Sequence, residues 1–241
     1  MKTETASVAS TLHERSRWVF EHLPATKTSV LDVGCHDGSG LIAFAQGARL
    51  GIGIDLDLPA LRRGAASDGQ VRLLAASADA LPFRDGSFEC VIFSEVLEHV
   101  PISAEEECIS ELRRVMTPGG TLLFTTPHRG MFWWLDPLMA KTHLRRLGAR
   151  LAGTSYALKG HKHYLVDEVR RLLDPHFEVL LVERRACLLH PLAYWGHLIT
   201  TRFGPFPSLM RFWQAVMDAD YSHEYGAAAY NVCVVARARK R

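Results

Sequence analysis

Short apolar runs separated by helical patterns dominate the first 130 residues. Residues 29–34 (SVLDVG) read as a buried strand ending in a glycine-rich turn. Residues 50–55 (LGIGID), 71–75, 90–94 and 121–126 (TLLFTT) repeat the strand pattern. Helical periodicity fills the gaps at 40–46, 59–66 and 103–116. The last of these carries a capping-box signature, Ser103 with Glu106 three residues on, then Ile109, Leu112 and Val115 on one face. Its first turn is acidic (Glu105, Glu106, Glu107) and its last is basic (Arg113, Arg114), which suits the helix dipole. Pro118-Gly119-Gly120 then predicts a turn. A helix at 166–174 and strands at 177–183 and 230–236 complete the set.

Strand–helix alternation builds a parallel sheet with helices on both faces. The expected fold is therefore α/β, a Rossmann-like, doubly wound, mostly parallel seven-stranded sheet in a single domain over 1–241. Segments 128–164 and 186–229 break the alternation and are too long for plain connections. They are expected to be insertions that form a helical lobe over a core of residues 1–127.

Composition narrows the class. Hydrophobic residues are 48% and charged residues 22%, a globular balance and not that of a disordered chain. No run of 18 apolar residues is present, so no transmembrane helix is expected, and residues 1–10 lack a signal-peptide core. Five cysteines without a CxxC pair argue against a disulfide framework and a structural zinc site. The expectation is a reduced, cytoplasmic protein. The net charge of +2 conceals a split: 12 basic and 17 acidic residues lie in 1–130, 16 basic and 9 acidic in 131–241. Such asymmetry points to an anionic partner for the basic half.

Two motifs speak of a ribose-bearing ligand. In the turn Val30-Leu31-Asp32-Val33-Gly34-Cys35-His36-Asp37-Gly38, glycines let backbone N–H groups approach a ligand closely. In Gly51-Ile52-Gly53-Ile54-Asp55 an acid ends the second strand, placed for two ribose hydroxyls. NAD and S-adenosylmethionine both fit that pair. Further on come Asp79-Ala80-Leu81-Pro82-Phe83, the run from Asp85 to Val91, Leu97-Glu98-His99 and Pro118-Gly119-Gly120. In this order the motifs resemble the class I S-adenosylmethionine-dependent methyltransferases, over residues 29–127 and more weakly over 161–183.

The resemblance implies roles for residues. Gly34 and Gly38 would underlie the methionine moiety, with Asp32 anchoring the turn. Asp55 would hold the ribose. Asp79 and the Ala80 amide would bond the adenine, Leu56 and Leu81 would sandwich it, and Ser94 and Glu95 would face the methyl group. His36 stands where the family has its middle glycine. Histidine tolerates positive φ better than most residues, so the turn can survive, while its ring disfavours a dinucleotide pyrophosphate.

Methyl transfer to a hydroxyl needs a base, and histidine is the usual one at neutral pH. His99, just after the fourth strand, is the leading candidate. His163, which alternation places on one side with His161, and His128, after the fifth strand, are the others. Each has a plain structural alternative as a capping or packing residue. Glu95, Glu98 and His99 fall at i, i+3 and i+4, a helical face suited to a divalent cation and similar to a segment of quinone-pathway O-methyltransferases. No metal is assigned. Cys35, Cys90 and Cys233 read as core residues.

From Pro137 to Val166 there is no acid, while Lys141, Arg145, Arg146, Arg150, Lys159 and Lys162 contribute +6. Leu144, Leu147 and Leu151 share a helical face beside them. Trp133, Trp134, Trp195 and Trp213 lie in the same half. Basic and aromatic residues together suit a membrane surface or a small, glycosylated or lipid-linked, anionic acceptor. RNA is disfavoured, because Phe93-Ser94-Glu95-Val96 replaces the Asn-Pro-Pro-Tyr-like segment of base-amino methylases. The expectation is an O-methyltransferase in the cytoplasm, with peripheral contact at the inner membrane surface. A non-catalytic membrane-associated module and an RNA methyltransferase are the alternatives.

Overall fold

The computed structural model describes residues 12–64, 71–137, 161–204 and 206–240. Seven strands form one sheet: β1 (Ser29–Val33), β2 (Leu50–Asp55), β3 (Val71–Ala75), β4 (Phe88–Ser94), β5 (Met116–Pro127), β6 (Phe177–Arg185) and β7 (Asn231–Ala238). Their order is β3-β2-β1-β4-β5-β7-β6. The pairs β1–β2, β1–β4, β2–β3 and β4–β5 are all parallel. The strand order turns back at β1, next to β4, which is where open α/β sheets bind ligands. β1 is buried along its whole length, as a strand covered on both faces must be.

Seven helices accompany the strands among the described residues: α1 (Glu14–His22), α2 (Ser39–Phe44), α3 (Leu58–Arg63), α4 (Glu105–Val115), α5 (Val166–Leu173), α6 (Leu189–Phe203) and α7 (Pro207–Tyr221). α1 has no counterpart in the sequence reading; it buries Trp18 and Val19. α4 buries Ile109, Leu112 and Val115, the face that periodicity marked. The capping box does not form. Residues 102–104 make a 3-10 turn, α4 starts at Glu105, and Ala104 occupies the N-cap without a side-chain cap bond. Ser103 therefore lies one residue too early to cap.

The Pro118-Gly119-Gly120 turn sits inside β5. There β5 moves from Met116 to Thr121 while its partner moves only from Phe88 to Cys90. The extra residues bulge out, and Gly119 takes φ +80° at the bend.

The chain divides into two compact units: residues 1–125, 169–182 and 234–241 form one, and 126–168 with 183–233 the other. The first holds β1–β4 and a core that includes Leu31, Ile92, Phe93, Leu122 and Phe124. The second overlaps the two stretches that break the alternation. Its helices α6 and α7 pack closely: Trp213 donates to Thr200 Oγ1 at 3.0 Å, and a Cβ on Gly196 would stand 2.5 Å from the Trp213 ring. The basic helix expected around Leu144–Leu151, with Lys141, Arg145, Arg146, Arg150 and Lys159, lies outside the described residues.

Candidate active site

Parallel register brings the carboxyl ends of β1, β2 and β4 to one edge. Val33 pairs with Ile54 on one side and Phe93 on the other. The chain leaving β1 turns sharply, with Gly34 N and Cys35 N both donating to Ile54 O at 2.8 and 3.0 Å. Gly34 takes φ +81°, and a Cβ there would lie 2.3 Å from Val96 Cγ2. Gly38 takes φ +74° and caps α2. His36 adopts φ +52°, so the histidine enters the left-handed region in place of the family's glycine.

Asp55 ties this turn to the exit of β2. Its Oδ2 accepts from His36 N at 2.7 Å and its Oδ1 from Asp57 N at 2.8 Å. A carboxylate has about four lone-pair sites, so two remain for a pair of hydroxyls. Asp32 is buried. Burial, and then the charge of Asp55, push its pKa up to about 7. Two acids at this sheet edge with an exposed glycine close in sequence are a donor set that suits a cation flanked by hydroxyls. That fits S-adenosylmethionine, which carries a sulfonium and a ribose.

The loop after β3 is held by a latch that sequence reasoning missed. Leu81 N donates to Glu111 Oε2 at 2.8 Å. Arg114 donates to Leu81 O at 2.9 Å, Phe83 O at 2.7 Å and Asp85 Oδ1 at 3.0 Å while pairing with Glu111. α4 thereby fixes the backbone on which Asp79 and Ala80 stand. The Ala80 amide itself makes a long turn bond of 3.3 Å to Ser77 O. Leu56 is 61% exposed and Leu81 is buried. Helix periodicity marks α4, but nothing in the sequence pairs its polar face with a loop some thirty residues away.

Past β4, Ser94 Oγ lies 2.8 Å from Thr125 Oγ1, which donates to Glu95 Oε1 at 3.0 Å. Glu95 has φ +55°, a strained value for this residue type. The helical face expected for Glu95, Glu98 and His99 does not form. Glu95 is left-handed and only residues 97–99 make a 3-10 turn. Val100 precedes Pro101 and takes ψ 137°, because a residue before proline is pushed out of the helical region. His99 is 30% exposed at its side chain and its Nε2 lies 3.9 Å from Oε1 of the buried Glu98.

His128, His161 and His163 lie in the second unit and are buried. His128 Nδ1 donates to Ala229 O at 3.0 Å, and burial holds its pKa below the ordinary value despite that bond. His163 Nε2 lies 3.2 Å from Asp136 Oδ2. Burial opposes ionisation of Asp136, but His161 and His163 outweigh it and hold its carboxyl well below the usual range. Asp136 was not singled out by sequence, since 24 positions separate it from His161. Cys35, Cys90 and Cys233 are buried, and burial pushes the Cys90 thiol up to about 12, away from reactivity.

The strand order and the carboxyl-edge turn define a Rossmann-like α/β fold. Residues 31–124 match the family model of the methyltransferase domain. An "Uncharacterized methyltransferase" of Mycobacterium sp. (strain JLS) is 33% identical over 166 residues, 66% of this chain and 60% of that protein. The ubiquinone biosynthesis O-methyltransferase of Thiobacillus denitrificans (strain ATCC 25259 / T1) is 32% identical over 151 residues, 56% of this chain and 62% of that protein. Among solved structures, an S-adenosylmethionine-dependent methyltransferase from Mesorhizobium loti superposes with a TM-score of 0.60 at 21% identity, covering 92% of this chain and 97% of that one. The chain spans 60%, 46% and 52% of its Mycobacterium, Mycolicibacterium and Synechocystis relatives. Residues 31–124 thus form a methyltransferase domain, and these likenesses support the class I S-adenosylmethionine-dependent methyltransferases as the family and S-adenosylmethionine as the cofactor.

Proposed function

We propose that the protein transfers the methyl group of S-adenosylmethionine to a hydroxyl of a small, glycosylated or lipid-linked acceptor. The observation that carries the reading is the arrangement of Asp32, Gly34 and Asp55 at the carboxyl edge of β1 and β2. Asp55 would bind the ribose, Asp79 and Ala80 the adenine between Leu56 and Leu81, and Gly34 and Gly38 the methionine moiety. Oxygen as the target is supported by relatives named ubiquinone biosynthesis O-methyltransferase, 31% to 36% identical. It is also supported by Phe93-Ser94-Glu95-Val96 at the end of β4.

In this reading the acceptor oxygen attacks the methyl carbon, the carbon–sulfur bond breaks, and S-adenosylhomocysteine leaves with the electron pair. The hydroxyl proton passes to His99. That residue is favoured over His128 and His163 because it is part-exposed and in the same unit as the cofactor residues. His128 is buried against Ala229, and His163 against Asp136.

A lipid-linked or membrane-proximal acceptor is supported by the α6–α7 hairpin. Phe203, Phe206 and Phe212 are 77%, 52% and 54% exposed, with Arg202 and Arg211 exposed next to Phe203 and Phe212 in the chain. Apolar rings beside cations suit an anionic lipid surface. No described helix is long and apolar enough to cross a membrane.

Turnover of methyl-labelled cofactor with a hydroxyl-bearing lipid fraction tests the reading. The expected result is base-stable, ether-linked label in the lipid. His99→Ala should lower the rate about 10²-fold or more while leaving S-adenosylhomocysteine affinity within about twofold. No transfer to any acceptor would favour a non-catalytic module on this fold, and transfer only to RNA would favour the RNA alternative.

A further inference from the structure

The second unit carries a cluster of ligand-type side chains that the methyl-transfer reading does not use. Tyr164 is bridged to His128, and just before it the His161 and His163 rings stand 5.5 Å apart, edge to face. Facing them is Asp136, set by the 3-10 turn Trp133–Leu135, whose last carbonyl accepts from Trp195 Nε1 at 2.8 Å. Asp136 Oδ2 lies 2.8 Å from His161 Nδ1 and 3.2 Å from His163 Nε2. All three donor atoms lie within 4.8 Å of one another, and all three residues are buried, Asp136 completely.

We propose that Asp136, His161 and His163 form a binding site for a zinc-class divalent metal ion. Two imidazoles and one carboxylate are the donor set that such ions prefer, whereas magnesium and calcium favour oxygen ligands. Three protein donors leave a fourth tetrahedral position for water or another ligand. A buried carboxylate demands compensating positive charge, and a divalent ion supplies it without protonating either imidazole. Two aromatic rings flank one of the ligands: Trp133 and Tyr230 stand 5.9 and 5.8 Å from the ring of His163. Burial of all three ligands limits the access of bulk water to the ion. The three proposed ligands all lie in the second unit, and the test reads metal binding rather than methyl transfer.

The test uses the whole chain, stripped with a chelator and then titrated with zinc by calorimetry and with cobalt by absorption. One saturable equivalent of zinc at sub-micromolar Kd is expected, with intense tetrahedral cobalt bands. Asp136→Asn and His163→Gln should each weaken zinc binding by at least about a hundredfold, beyond the loss typical of outer-shell changes. His223→Ala, at an exposed site, should bind as the wild type does. The wild-type titration decides the matter even if a variant fails to fold. Absence of a saturable equivalent in the wild type, or wild-type affinity in a folded Asp136→Asn chain, overturns the proposal. A metal-free His–Asp–His hydrogen-bonded triad would then be what the buried cluster is.

Discussion

Asp32 is where burial bears most directly on the proposed cofactor site. Its carboxyl lies near the end of β1, with a pKa pushed up to about 7 by burial and then by Asp55. A folded-state pKa above the unfolded one means the folded chain binds the proton more tightly. The associated stability is fully present below about pH 4 and is lost as pH rises from there to about 7. A bound sulfonium favours the carboxylate, so cofactor binding should release a proton near neutrality. The affinity ratio of S-adenosylmethionine to the uncharged S-adenosylhomocysteine should therefore rise from pH 6 to pH 8. Calorimetry at several pH values measures it, and in Asp32→Asn the ratio should be flat. A flat ratio in the wild type would separate Asp32 from the sulfonium. The motif around Asp32 was legible because glycine and acid spacings are local. The titration was not, because it depends on two strands brought side by side.

At the level of elements, α4 does more than cover the sheet. Glu111 and Arg114 grip Leu81, Phe83 and Asp85, and so hold the Asp79–Ala80 loop. Charged hydrogen bonds contribute about 1.5–3 kcal/mol each when partly buried. Arg114→Ala should weaken S-adenosylhomocysteine binding by roughly tenfold or more and make the 77–85 loop a site of proteolytic nicking. Intact affinity and protease resistance would show that the loop needs no latch. The strands and α4's buried face were readable from periodicity, which is local. The missed capping box and the lost 95–99 face have equally local causes. A 3-10 turn shifts the start of α4 to Glu105, and Pro101 stops the turn at His99. What no periodicity shows is a side chain reaching across some thirty residues, as Arg114 does.

Over the whole molecule, the charge split coincides with a split in structure. The acidic first half holds the cofactor motifs, and the basic half supplies most of the second unit. The aromatic part of the expectation divides on inspection. Trp195 and Trp213 bond within the second unit, to Leu135 O and Thr200 Oγ1, and are packing residues. Trp134 is exposed, as are Phe203, Phe206 and Phe212 of the α6–α7 hairpin. Vesicles of mixed zwitterionic and anionic phospholipid should sediment the protein at low salt, less so at high salt. Phe203→Ser with Phe206→Ser should reduce the bound fraction several-fold. No sedimentation at low salt would confine the acceptor to free solution.

The central claim is that the carboxyl edge of β1, β2 and β4 holds S-adenosylmethionine through Asp55. Calorimetric titration of the whole chain with S-adenosylhomocysteine tests it most directly. One equivalent should bind at micromolar Kd, and Asp55→Ala should weaken it by about 10- to 150-fold, the loss of one charged hydrogen-bonding group. No binding below millimolar in the wild type, or equal binding by a folded Asp55→Ala chain, would contradict the account.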